Sequence, residues 1–309
     1  MKIFTGTANP KLAEGIAKNL GIPLGDIQIA HFPDGEISVK VAENIRGRDV
    51  FMIQPICYPP NEHLMELLIV IDAMRRASAA RITAVVPFYG YGRQDRKDQP
   101  RVPITAKLVA NLLVAAGVNR LLTMDLHTQQ IQGFFDIPVD HLCAAPVMVK
   151  PLREKGFDNL VIVSPDPGGM KMAYQYSRML NSGLAIVAKQ RTSPNSVETY
   201  HVVGDVDGRT AVLVDDLVTT GGTLCAAADL LKKKGARDIY AMVTHAVMIP
   251  EAFERLSRSA IKEFIVTDSV PLRAPTSSVS IQVLTVADLL AEAIRRIHNN
   301  QSVSSLFNI

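Results

Sequence analysis

The chain has 309 residues, 48% of them hydrophobic, enough to bury a large core and to suggest about two domains. Lys and Arg (33) nearly balance Asp and Glu (30), leaving a net charge of +3, so no global field points to nucleic acid. No run reaches the roughly 18 apolar residues of a membrane span, Met1–Pro10 carries no signal-peptide core, and Cys57, Cys143 and Cys225 offer neither zinc spacing nor a disulfide framework, which predicts the reducing cytoplasm.

Lys2–Thr5 reads as a strand. Asn9 caps a helix with Pro10 at its first position; Leu12, Ile16 and Leu20 recur at four-residue spacing, and Gly21 ends it. A second helix is predicted over about 62–78, with Leu64, Leu67, Leu68, Ile71 and Met74 on its apolar side. Ile82–Phe88 is a buried strand and 89–103 a polar, Gly- and Arg-rich loop. A helix over about 104–116 follows, stopped by Gly117, and then the strand Arg120–Asp125. The second half repeats the scheme. Strand Leu160–Ser164 leads into the turn Pro165–Gly169 and a helix. Strand Ala185–Ala188 leads into Lys189–Arg191 and a polar loop to about His201. Strand 211–214 precedes a Thr/Gly loop and a helix over 221–234. Strands Ile239–Thr244, Ile261–Thr267 and Ile281–Val286 and a helix over 287–298 complete the chain. This alternation predicts an α/β protein with mainly parallel sheets flanked by helices, in two similar domains, 1–144 and 145–309.

In open parallel sheets, ligands bind at the carboxyl ends of strands. Phe32–Glu36, Arg93–Asp98, Asp125–Gln130, Asp166–Gly169, Lys189–Arg191 and Asp215–Thr223 are all expected there. The last is the most informative. An apolar strand ends in Asp215 and Asp216, then Thr219, Thr220, Gly221, Gly222 and Thr223 open a helix. The glycines let backbone N–H groups approach a phosphate, and the helix dipole favours an anion. The paired acids suit the two hydroxyls of a ribose, or a metal held over them, so a sugar phosphate is expected. No Gly-Lys-Ser/Thr closes the loop, so it is not a Walker loop. The other segments are open to plainer readings: a polar turn around Gly35, a solvated charge run over 93–101, a structural His127, and an exposed strand end at Lys189 and Arg191.

Several strings in order carry a family resemblance: Phe32-Pro-Asp34-Gly35-Glu36, Arg93-Gln94-Asp95-Arg96-Lys97, Asp125-Leu-His127, Gln132-Gly-Phe-Phe-Asp136-Ile-Pro-Val-Asp140, Ser164-Pro-Asp166 and Val212–Thr223. Together they resemble the ribose-phosphate diphosphokinases, whose sheets have the phosphoribosyltransferase-like fold, almost from end to end. The resemblance implies diphosphoryl transfer from ATP to the 1-hydroxyl of ribose 5-phosphate with release of AMP. It places ATP at Phe32, Asp34, Gly35, Glu36, Arg93, Gln94 and Asp98. It implies Mg2+ at His127 and Asp166, and catalytic charge neutralisation by Lys189 and Arg191. It gives ribose 5-phosphate to Arg191, Asp215, Asp216, Thr219, Thr220, Gly221, Gly222 and Thr223. It further implies a homo-oligomer, commonly a hexamer, responsive to phosphate and ADP through Asn44, Arg46 and Ser302-Val303-Ser304.

The chain departs from the family pattern at three positions. Thr219 stands where a third acid is common, Pro167 where bacterial relatives often have His, and Gln190 where a second basic residue is usual. Two rival functions fit parts of the pattern. A phosphoribosyltransferase would not need two whole domains or Arg93, Gln94 and His127. A non-enzymatic regulatory subunit would be expected to lose Lys189, Arg191 or His127, and all three are present.

Overall fold

Each half of the chain builds its own mainly parallel sheet around strands with long apolar runs. A computed structural model describes residues 1–190, 199–273 and 280–306. Its contacts divide the chain into two units. The first holds Met1–Cys143, Ser269–Pro271 and the described residues from Thr285 onward; the second holds the described residues of Ala144–Asp268 and Leu272–Leu284. Among the described residues no helix is long and apolar enough to cross a membrane.

The first unit runs β1 (Lys2–Thr5), α1 (Pro10–Leu20), β2 (Ile27–His31), β3 (Ile37–Val41), β4 (Asp49–Ile53), α2 (Pro60–Arg76), β5 (Arg81–Val86), α3 (Thr105–Ala116), β6 (Arg120–Met124) and β7 (Val139–Leu142). Strands β1-β4-β5-β6-β7 form a five-stranded sheet, parallel at every pairing. Phe51, Met52 and Ile53 of β4 and Ala84, Val85 and Val86 of β5 are fully buried, as strands covered on both faces require. Helix α1 forms as its sequence predicts: the Asn9 side chain accepts from the Leu12 amide (3.4 Å), and Gly21 closes the helix in the left-handed region at φ +69°.

The second unit runs α4 (Ala145–Lys155), β8 (Leu160–Ser164), α5 (Met170–Leu180), β9 (Gly183–Gln190), β10 (Thr199–Val203), β11 (Thr210–Val218), α6 (Gly222–Lys233), β12 (Asp238–Ala246), α7 (Pro250–Ser257), β13 (Glu263–Thr267) and β14 (Ser280–Leu284). Its seven strands are ordered β10-β9-β8-β11-β12-β13-β14, and only the edge strand β10 is antiparallel to its neighbour. Helices α4 and α7 were not read from the sequence, and two further details differ from that reading. Residues 199–203 are strand, where a polar loop to about His201 was expected; their backbone pairs back onto β9. Strand β11 also does not stop at Val214 but carries both acids and ends at Val218.

The last helix, α8 (Ala287–His298), packs on α1 in the first unit and buries Ala287, Leu290, Ala291, Ala293, Ile294 and Ile297. A polar latch fixes its C-terminus. Arg81 donates to Asp49 (Nε–Oδ1 2.8 Å) and to the Ile297 carbonyl (3.1 Å), and His298 Nδ1 lies 2.7 Å from Asp49 Oδ2. Burial opposes the Asp49 charge, but the hydrogen bonds from Arg81 and His298 outweigh it and hold this carboxyl below the usual range. Its stabilising contribution is therefore present above about pH 4 and is lost as pH falls through the lowered value. Asp49→Asn should cost about 1–3 kcal/mol at pH 7. The deficit should shrink in melts taken as pH falls below about 4, as the unsubstituted Asp49 is itself progressively neutralised through its lowered value.

Candidate active site

In the second unit, four buried apolar residues, Ala211–Val214, drive β11 through the sheet and deliver Asp215 and Asp216 to its carboxyl end. The turn that follows depends on Gly221, which precedes α6 at φ +71°, a conformation that strains residues with a Cβ. The N-cap residue Gly221 has no side chain to cap α6, and the Thr220 hydroxyl accepts from the Gly222 amide (3.4 Å). The first amides of a helix have no backbone partner within it, and with the helix dipole they suit an anion. Thr220 and Thr223 are exposed beside it. The loop is held from behind: Ile249 N–H donates to the Thr219 carbonyl (3.1 Å) and Arg255 Nη1 to the Thr220 carbonyl (3.0 Å). Arg255 was not legible as a site residue, because it reaches the loop through a backbone oxygen from another helix.

The two acids are a strained pair. Asp215 is pushed up to about 8, first by burial and then by the charges of Asp216 and Asp166. One hydrogen bond works the other way, from the Asp216 amide to Asp215 Oδ1 (2.9 Å). Asp166 follows β8 in the same unit. Its Oδ1 accepts from the amides of Gly168 (2.7 Å) and Gly169 (3.1 Å), and its carbonyl accepts from the Ser164 hydroxyl (2.6 Å). The loop is thus preformed ahead of α5, and Pro167 occupies a position whose N–H it does not use. Lys189 is the penultimate residue of β9, in register with Tyr200. Its side chain, and all of Arg191, lie outside the described residues.

The first unit brings a second group together. The loop after β5 and the segment after β6, on adjacent strands, are tied by Asp95, whose Oδ2 accepts from Thr128 Oγ1 (2.8 Å) and Gln130 Nε2 (3.2 Å). A Cβ built on Gly92 would lie 3.7 Å from the Cβ of His127, so His127 abuts the start of the Arg93–Asp98 run. Arg93, Asp98 and His127 are exposed. Gln94, also exposed, is anchored to the start of α3: its Oε1 accepts from the Thr105 hydroxyl (2.5 Å) and its carbonyl from the Ala106 amide (3.1 Å). The 89–103 segment is therefore an organised loop at the carboxyl end of β5, not a loose charge run.

Phe32–Glu36 is placed differently from expectation. It is the tip of the antiparallel hairpin β2–β3, outside the parallel sheet. Ile27, Ile29, Val39 and Val41 alternate with more exposed residues and pack on the first unit's core, a period-two pattern that makes a ribbon with one apolar face. Gly35 turns the tip at φ +92°, Asp34 Oδ1 accepts from the Glu36 amide (3.2 Å), and the Phe32 amide donates to the Glu36 carbonyl (2.8 Å). Phe32 is 53% exposed, a large aromatic face presented on a polar turn.

Among the described residues no three His, Cys, Asp or Glu side chains gather as a closed metal site. The donors fit a different kind of site. Magnesium takes oxygen ligands, keeps several waters, and is commonly held by one or two carboxylates together with substrate phosphates. Asp166, with one oxygen engaged, and the mutually repelling Asp215 and Asp216 are suited to that role.

A raised carboxyl favours its neutral form in the folded chain. The contribution of Asp215 to stability is thus present below about pH 4 and is lost as pH rises toward 8. Asp215→Asn should therefore raise the melting temperature more at pH 8 than at pH 5, by about 2–4 °C for each kcal/mol relieved. Equal shifts at both pH values would contradict the strained-pair account.

Comparison with known proteins agrees with this architecture. Residues 1–117 match the family model for the N-terminal domain of ribose phosphate pyrophosphokinase, and residues 191–308 match the phosphoribosyl synthetase-associated domain. The ribose-phosphate pyrophosphokinase of Chromobacterium violaceum is 50% identical over 100% of this chain and 95% of its own length. That of Parasynechococcus marenigrum is 53% identical over 99% and 93%. A crystal structure of phosphoribosylpyrophosphate synthetase from Mycobacterium smegmatis matches with a TM-score of 0.92 at 42% identity, covering 97% of this chain and 99% of that one. The chain belongs to the ribose-phosphate pyrophosphokinase family.

Proposed function

We propose that this enzyme transfers the diphosphoryl group of ATP to the 1-hydroxyl of ribose 5-phosphate, giving phosphoribosyl diphosphate and AMP for nucleotide biosynthesis. The observation that carries the reading is the acid pair of β11 followed at once by the amide-rich start of α6. A ribose 5-phosphate has the complementary pattern. Its 2- and 3-hydroxyls donate to Asp215 and Asp216, and its 5-phosphate accepts from the amides and hydroxyls of Thr219–Thr223. Thr219 replaces a family acid with a neutral hydroxyl donor and leaves the amide cradle unchanged.

With the sugar so held, its 1-oxygen attacks the β-phosphorus. The bond from that phosphorus to the oxygen of the α-phosphate breaks, AMP leaves with the electron pair, and the hydroxyl loses its proton. Such transfer needs positioning and charge neutralisation more than covalent help. Arg93, Gln94 and Asp98 hold ATP, and the adenine amino group suits Asp34 and Glu36 on the hairpin that carries Phe32 and Gly35. Lys189 and Arg191 neutralise the charge that builds on the transferring group. Asp166 would hold magnesium in the second unit, and His127 is a magnesium residue by family resemblance alone; bound to the triphosphate, that ion would supply further neutralisation. Asn44, Arg46 and Ser302–Ser304 belong to a regulatory site for phosphate or ADP in a homo-oligomer, a hexamer by family resemblance. The Asn44 Oδ1 accepts from the Arg46 amide (3.0 Å), and Ser302 Oγ accepts from the Ser304 amide (3.2 Å).

Two variants separate these roles. Asp215→Asn combined with Asp216→Asn should weaken ribose 5-phosphate binding, measured by calorimetry above pH 8 where both acids are ionised, by about 100-fold, at about 1.5 kcal/mol for each charged hydrogen bond lost, while ATP binding changes little. Lys189→Ala should lower turnover by about 100-fold or more with ATP affinity nearly intact. Turnover similar to the unsubstituted enzyme would remove Lys189 from the chemistry.

A further inference from the structure

The phosphate loop is braced by a helix that the proposed function does not use. Helix α7 lies on the second unit's core through Ala252, Phe253 and Leu256, and its exposed side turns Arg255 onto the loop. Arg255 Nη1 donates to the Thr220 carbonyl at 3.0 Å, and a Cβ built on Gly222 would lie 3.1 Å from the same nitrogen. The neighbouring acid, Glu254, is occupied with Arg258 (2.5 Å). Just ahead of the helix, the Ile249 amide holds the preceding carbonyl, that of Thr219 (3.1 Å).

The consequence follows from the peptide group itself. It is planar and trans, so its N–H points opposite to its C=O. Drawing the Thr219 and Thr220 carbonyls toward α7 turns the N–H groups of Thr220 and Gly221 the other way, away from α7. Gly221, at φ +71°, lets the chain make this turn. Successive amides pointing out of a turn form an anion-binding concavity. The guanidinium adds a fixed positive charge behind that concavity, and its planar fork holds geometry better than an ammonium on a flexible stem would.

We propose that Arg255 is a positioning residue for the sugar phosphate: it fixes the Thr220–Gly221 peptide plane so that the loop's amides face the 5-phosphate. This rests on the reading of the loop as the ribose 5-phosphate site and adds a residue to it from a separate helix. The effect is on binding of the sugar substrate, since Arg255 meets the loop at a backbone carbonyl, on the side opposite its amides.

The test is calorimetric titration of ribose 5-phosphate into the full-length protein and its Arg255→Ala and Arg255→Lys variants, with steady-state kinetics for both substrates. Arg255→Ala should weaken ribose 5-phosphate binding about tenfold and raise its KM in step, with kcat and the KM for ATP little changed. Arg255→Lys should recover part of the loss, since an ammonium can donate to the same carbonyl but does not fix the plane. A uniform fall in kcat with no selective change in ribose 5-phosphate KM would overturn the proposal. Undiminished ribose 5-phosphate affinity in Arg255→Ala would overturn it too, while leaving the sugar-phosphate assignment of the loop intact. Failure of the unsubstituted protein to bind ribose 5-phosphate would sink that assignment and this inference together.

Discussion

The constraint on which the second unit's chemistry depends is the repulsion between two carboxylates at the end of a buried strand. Asp215 and Asp216 sit where β11 leaves the core, and burial and mutual charge drive the Asp215 carboxyl far above its ordinary value. Such an arrangement costs stability in the empty protein. It persists because the apolar run Ala211–Val214 and its pairing with β8 and β12 over-determine the strand's path. A ligand offering two hydroxyl donors, or a cation, relieves the repulsion. The same acids that weaken the fold near pH 8 therefore favour binding, a trade-off common at functional sites.

The remaining features distribute support around that strained centre. The Thr219–Gly221 turn supplies donors without a cation of its own, and α7 holds its carbonyls from behind. In the first unit, Asp95 binds two neighbouring loops into one polar edge, and Gln94 ties that edge to the first turn of α3. The hairpin β2–β3 carries an exposed phenylalanine beside two acids, which suits stacking and hydrogen bonding to a base more than it suits folding. Apart from the hairpin, which is a separate antiparallel ribbon, each group is built on backbone geometry fixed by the parallel sheets, so chemistry varies with loop residues while the scaffold stays the same.

Legibility in the sequence followed local signals. Asn9, Pro10 and Gly21 announced α1 correctly because each acts on the backbone beside it. The Thr/Gly loop was legible for the same reason. Strand β4, a short apolar run before Pro55, lacked a period that separates strand from helix. Helix α4 was obscured by Pro151, which the structure keeps inside the helix although proline removes a helical hydrogen bond. The hairpin was missed as a ribbon because its tip, Phe32–Glu36, resembled the end of a parallel strand. Arg255 was illegible for a different reason: its contact is with a carbonyl 35 residues away in sequence, and no spacing rule links them. The roles of Lys189 and Arg191 were drawn from the family resemblance, since basic residues at a strand end are common on any surface.

The most direct test of the central claim is phosphorus NMR of the purified protein with ATP, ribose 5-phosphate and magnesium. The account predicts AMP appearing in step with a new diphosphate on the sugar's anomeric carbon. Both ligands bound, with ATP unchanged and no diphosphate on the sugar, would contradict it.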